Sequence, residues 1–202
     1  MYLAIMHHLV NNWIVHTVPF AIVLTIILGS CCSAIGLLPF LMWLHFPAYL
    51  LHQAEEYIFP GGFKHHFNKT VGKTVSGGLD DILSDTEICF INVVMVWGAH
   101  VFCAVVAQHY SMKIGVFLPV FALSNAVLHV MATVRGRCYN PGIVTSLIVF
   151  FPLSLYSLYS LDKQGHITFV SVIVASTVAI IIHMSILLFI FAKSHSLRKR
   201  KQ

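Results

Sequence analysis

Residues 167–192 read ITFVSVIVASTVAIIIHMSILLFIFA, an uncharged stretch between Lys163 and Lys193. A helix that crosses a bilayer needs about 20 mostly apolar residues, and this run supplies them. Working back along the chain, Ile143–Ser160, Ile114–Val134 and Ile88–Gln108 have the same character. Residues 13–51 carry no formal charge at all, which is too long for one crossing. They divide into Trp13–Leu28 and Ile35–Phe59, with the small, helix-weak residues Gly29-Ser30-Cys31-Cys32-Ser33 as the expected turn.

Composition agrees with that reading. Of 202 residues, 58% are hydrophobic and 9% are charged, against about 45–50% and about 25% in soluble domains. So little charge cannot coat a water-facing globule, which excludes a soluble domain, a disordered chain and a coiled coil. The expected fold is all-α, a polytopic transmembrane helix bundle of about six spans, or five if the first two runs fuse. It forms one integral membrane domain over residues 1–202, with no internal repeat. Pro60–Glu87 is a cytoplasmic loop long enough for an interfacial helix, and residues 193–202 form a basic tail.

The net charge of +5 does not point to nucleic acid, because the basic residues sit in short loops and in Arg198-Lys199-Arg200-Lys201. That is the pattern of topology determinants, facing lipid headgroups. With the tail in the cytoplasm, ten Lys and Arg residues fall on the inner side and only Lys113 and Lys163 on the outer. Both termini are then cytoplasmic. No basic residue precedes Lys64, so the beginning of the chain does not read as a cleavable signal. Five cysteines without metal-ligand spacing read as inert thiols.

Ionisable groups within a membrane are costly and mark function by default. His52-Gln53-Ala54-Glu55-Glu56 closes the second run. Residues three and four apart share a helix face, so His52 lies over both carboxylates and all three are expected to reach one point. Two adjacent carboxylates there require a proton or a cation between them. Topology puts Asn92, Asn125 and His129 at the same depth, with Arg135, Tyr139 and Asn140-Pro141-Gly142 in the next inner loop. His16 and His183 lie in the inner leaflet too. This agreement in depth favours one polar site opening toward the cytoplasm.

These residues carry a resemblance. His52-x-x-Glu55-Glu56, followed by Tyr57 and Pro60-Gly61-Gly62-Phe63, resembles the signature of the HXXEE-domain family of small polytopic membrane proteins. Asn125-x-x-x-His129 is similar to that family's second motif, and Arg135 with Pro141-Gly142 to its later ones. The resemblance covers roughly residues 40–145 and implies a shared site more than any one activity.

The expected function is a membrane enzyme, a metal-dependent hydrolase or oxidase, acting on a lipid or lipid-soluble substrate. His52, His129 and one of Glu55 and Glu56 are the metal ligands, Glu56 first, with Asn125 beside them; zinc ranks first and iron second. The other carboxylate is the general base, Asn92 or Asn125 an oxyanion donor, and Arg135 an anion clamp, with Tyr139 in the same catalytic set. Three alternatives remain: a metal-free Glu/His acid–base isomerase; a proton- or metal-coupled transporter, for which His45 and His100 at mid-depth are the main sign; and a structural or assembly factor without chemistry of its own. The partners expected are membrane lipids and an amphiphilic substrate, with no nucleic acid. The membrane is that of the endoplasmic reticulum in a eukaryote or the inner membrane in a bacterium.

Overall fold

The computed structural model describes residue 10, residues 12–76 and residues 82–199, and among them there are helices and no strand. They are α1 (Trp13–Ile35), α2 (Leu37–Tyr57), α3 (Phe63–Phe67), α4 (Asp85–His109), α5 (Ile114–Gly136), α6 (Ile143–Lys163) and α7 (Phe169–Lys199). Five of these, α1 and α4 to α7, are long and apolar enough to cross a membrane. α2 matches them in length with 21 residues but carries His45, His52, Gln53, Glu55 and Glu56, all buried. It is the central helix, with α1, α4, α5 and α6 packed around it, while α7 lies along α5. A polar helix sheathed by apolar ones keeps its ionisable groups away from lipid.

The long helices alternate in direction. At one end the finish of α2 meets the start of α6, where the Tyr139 hydroxyl donates to Glu55, and the finish of α7 meets the start of α4, where Lys193 pairs with Glu87 at 2.6 Å. At the other end, Trp43 Nε1 near the start of α2 donates to Gln108 Oε1 near the finish of α4 at 2.7 Å. Lys64, Lys69, Lys73, Arg135, Arg137 and Lys193 belong to the first end, and Lys113 and Lys163 to the second. Below, the first is called the basic end.

The turn expected at residues 29–33 is not there. That stretch stays helical, and the chain breaks at Gly36, whose φ of +84° is open to glycine and strained for other residues. In an apolar setting helix geometry is the cheapest way to satisfy the backbone. The hydroxyls nearby are absorbed into the helix: Ser30 donates to the Ile26 carbonyl and Thr25 to that of Ala21. Pro39, in the first turn of α2, fits a helix start.

The segment between α2 and α4 holds α3, whose helical course continues through Asn68–Gly72 and Lys73–Val75. α4 begins at a capping box: Ser84 Oγ accepts from the Glu87 amide, and Glu87 Oε2 accepts from the Ser84 amide. The first turn of α4 therefore precedes the apolar run. Of the basic tail, residues 193–199 are the last turns of α7; residues 200–202 lie outside the described residues, as do His7 and His8.

Candidate functional site

The last two turns of α2 carry His52, Gln53, Glu55 and Glu56 into the basic end of the bundle. Glu56 Oε1 lies 3.5 Å from His52 Nε2 on its own helix and 3.5 Å from His129 Nε2 on α5. One ligand atom from each of the three lies within 4.8 Å of the others, so the cluster could hold a metal ion. Asn125, one turn before His129, places Nδ2 3.0 Å from His52 Nε2. Asn140 brackets His129 from the loop, with Nδ2 3.1 Å from the ring Nδ1 and 3.3 Å from the His129 carbonyl.

Glu55 does not reach that point. It accepts from the Val144 amide (2.9 Å), the Thr145 amide (2.6 Å), the Thr145 hydroxyl (2.6 Å) and the Tyr139 hydroxyl (2.7 Å). The first turn of a helix has unpaired N–H groups that favour a negative charge, and α6 has no side-chain cap from its own sequence. Glu55 of α2 does that work from across the bundle. The two adjacent carboxylates therefore need no shared proton, because one faces a helix start and the other an imidazole pair.

Proton counting links Glu55 to the cluster all the same. All four contacts to it come from donors, so it acts as a carboxylate acceptor. The Thr145 hydroxyl spends its proton on Glu55 and accepts from His52 Nδ1, 2.8 Å away. That leaves the lone pair of neutral His52 on Nε2, the atom facing Glu56. A hydrogen bond on one ring nitrogen commonly sets the free nitrogen of a ligand histidine in this way.

Gly142 supports both rings. Its φ is +101°, and a Cβ there would stand 2.5 Å from His129 Cε1 and 2.7 Å from His52 Cε1. The turn before α6 thus fits against the cluster only without a side chain. Phe150 closes the other side of His52, with ring centroids 4.5 Å apart.

The remaining expected residues lie elsewhere. Asn92 belongs to a second network: it accepts from Gln53 Nε2 (2.8 Å) and donates to the Tyr57 hydroxyl and the Ile88 carbonyl, while Gln53 Oε1 accepts from Trp97. Arg135 is exposed at the end of α5, with no ion pair among the described residues. Six residues past His129, it is turned about 120° round the helix, so the anion clamp expected of it is not built. The ring of Tyr139 is 44% exposed, and its hydroxyl is pushed above the usual range by burial and then by Glu55. His16 is exposed and away from the cluster.

A cavity of about 350 Å³ opens beside the cluster, with Glu56, Asn125, His129 and Asn140 on its wall. His183 of α7 and His66 of α3 also border it. The His66 ring is held below its usual range by burial, then by His129 and His65.

Sequence reading overlooked Gln53, Thr145 and the supporting role of Gly142. Thr145 had one signal, a hydroxyl in the first turn after a glycine. Gln53 sits inside the His-to-Glu motif but points to the other network, which spacing does not reveal.

Residues 43–157 match the family described as a protein of unknown function with HXXEE motif. This chain belongs to that HXXEE family. The match covers more than half of its length and includes His52, Glu55, Glu56, Asn125, His129 and Gly142. No curated protein and no solved structure matches the chain.

Proposed function

We propose that this HXXEE protein is an integral membrane enzyme that uses one divalent metal, zinc first and iron second, on a lipid-soluble substrate. The observation carrying the proposal is the convergence of His52 Nε2, His129 Nε2 and Glu56 Oε1 beside an apolar cavity. Ligands about 2.0–2.1 Å from a tetrahedral ion stand about 3.3 Å apart, and both His–Glu separations here are 3.5 Å. Three protein ligands with one direction left open is the arrangement of catalytic rather than structural zinc. With Glu55 engaged at α6, the cluster has one carboxylate where a pair of irons in a helix bundle takes about four.

A bound metal would supply Lewis-acid chemistry, polarising a carbonyl or activating water. The protein's own residues have separate tasks in this reading. Glu56 and the two histidines bind the ion, Thr145 and Glu55 orient His52, and Gly142 leaves room for both rings. Asn125 donates to an oxygen in the open position. Tyr139 helps to hold Glu55, and Asn92 shapes the cavity wall. The positive-inside charge pattern supports a position for this end of the bundle at the cytoplasmic leaflet.

A different observation favours a second reading, proton transfer without metal. His45 Nδ1, His100 Nε2 and Ser154 Oγ are buried without a hydrogen-bond partner. Such atoms call for internal water, and water beside two histidines makes a proton relay.

Elemental mass spectrometry of detergent-purified protein decides between them. The metal reading expects about one zinc or iron per chain, lost in Glu56→Gln and in His129→Ala while both variants remain helical and monodisperse. Well-folded wild type with no metal after reconstitution would sink it and leave the proton-transfer reading.

A further inference from the structure

The cavity beside the cluster restricts the substrate. On α4 it runs from Ile88 to Val96, about 12 Å by helical rise, or most of one leaflet of a hydrocarbon core about 30 Å thick. Its walls include Met95, Phe121, Leu128 and Ile186, and Phe63 and Phe67 border it at the basic end. Phe63 packs against Tyr57 at 5.6 Å and faces His129 at 6.2 Å between ring centroids. The polar wall is therefore at the headgroup end, screened from water by α3, and the apolar walls extend toward the bilayer centre.

Size and charge then select a class of ligand. A methylene takes up about the room of a liquid water molecule, roughly 30 Å³, so a cavity of about 350 Å³ holds one chain of about a dozen carbons. Two such chains would need about twice that room. Among the described residues that line it there is no Lys or Arg. Nearby cations are engaged or turned away: Lys64 pairs with Asp85 at 2.9 Å, Lys193 pairs with Glu87 at 2.6 Å, and Arg135 is exposed. A phosphate would meet no Lys or Arg there, so the one cation it could reach is the metal itself, whose charge Glu56 already half offsets, and Glu56 would repel a carboxylate. What the wall does offer an oxygen is a hydrogen bond from Asn125, since both N–H groups of Asn140 are spent on His129.

We propose that this cavity binds a single-chain lipid of about 10–14 carbons with an uncharged oxygen headgroup, such as a fatty alcohol, aldehyde or simple ester. The chain lies between α4, α5 and α7, and the head oxygen points at the cluster. The proposal names the substrate class of the enzyme inferred above and rests on that reading for catalysis, though not for binding.

Photoaffinity labelling tests it. The protein in nanodiscs is irradiated with a diazirine-bearing C14 alcohol, and labelled peptides are mapped by mass spectrometry, with metal content measured on the same samples. Labelling is expected at 88–96 and 182–187, reduced about tenfold by excess tetradecanol and unaffected by myristate, tetradecyl phosphate, tetradecylamine or dimyristoyl phosphatidylcholine. Met95→Trp and Ala132→Trp, which fill the cavity from two different helices, are expected to abolish the labelling and retain the metal. Equal competition by any of the charged or two-chained lipids would overturn the proposal, as would undiminished labelling in both folded variants. Specific labelling of a protein that binds no metal would support the cavity assignment and refute the metal reading.

Discussion

His52 and Glu56 stand four residues apart on one helix, and any helix would bring them together. What makes them a site is the set of contacts that orient them. The His52 ring is held by Thr145 on one nitrogen and approached by Asn125 on the other. The Thr145 hydroxyl relays the charge of Glu55, which itself never touches the cluster. A Thr145→Val change keeps the shape of the side chain, and the Thr145 amide still reaches Glu55, yet the link to His52 is gone. Metal affinity should fall by about 10–100-fold, read by competition with a chelator, with little change in melting temperature. Unaltered affinity would mean that Thr145 supports α6 and does not position the ligand. Here the motif spelled out in the chain is a partial guide: His52 and Glu56 are cluster residues, and Glu55, equally prominent in it, is a helix cap whose partner lies about 90 positions away.

Helix ends show how local preference yields to surroundings. Glycine, serine and cysteine at residues 29–33 would end a helix in water, but here the helix continues to Ile35 and the hydroxyls turn back onto carbonyls. The end of α5 goes the other way: Arg137 follows the last helical residue with φ of +49°, a left-handed conformation more often given to glycine. Arg137→Gly should therefore stabilise the protein by about 1 kcal/mol, read as a higher melting temperature in the same detergent. A lower value would show that the arginine side chain compensates for the strain through the headgroup region. α4 carries π-type turns, with i→i+5 hydrogen bonding, over Phe90–Trp97. That widened stretch borders the cavity through Ile91, Asn92, Met95 and Val96, and such turns recur at functional sites.

Across the bundle, six helices of membrane length alternate in direction, and the described basic residues collect mainly at the end that holds the cluster. If all six cross the bilayer, Cys138 between α5 and α6 and Gln164 between α6 and α7 face opposite sides. A membrane-impermeant maleimide applied to sealed inverted vesicles should modify Cys138. It should leave a Gln164→Cys variant, made in a Cys138→Ser background, unmodified until detergent is added. Modification of both from one side would refute the alternation of the last two crossings. α1 and α2 are joined at Gly36 alone, so they form a tight hairpin rather than one long fused span.

Composition and hydropathy were enough to give a bundle of helices, five of them long and apolar enough to cross a membrane, because the bilayer admits few backbone solutions and each needs a long apolar run. Charge counting gave an expected orientation, and intramembrane cost picked out His52, Glu56, Asn125 and His129, since costly residues stand out against an apolar background. Helix rotation was beyond the reach of the chain alone. Arg135 and His129 lie six residues apart on α5, about 9 Å along the helix and a third of a turn round it, and Glu55 and Glu56 are neighbours that face different helices. The cavity, the helix start waiting for Glu55 and the space left by Gly142 all arise where separate helices meet. They depend on side chains distant in sequence packing at one point, which no local pattern encodes.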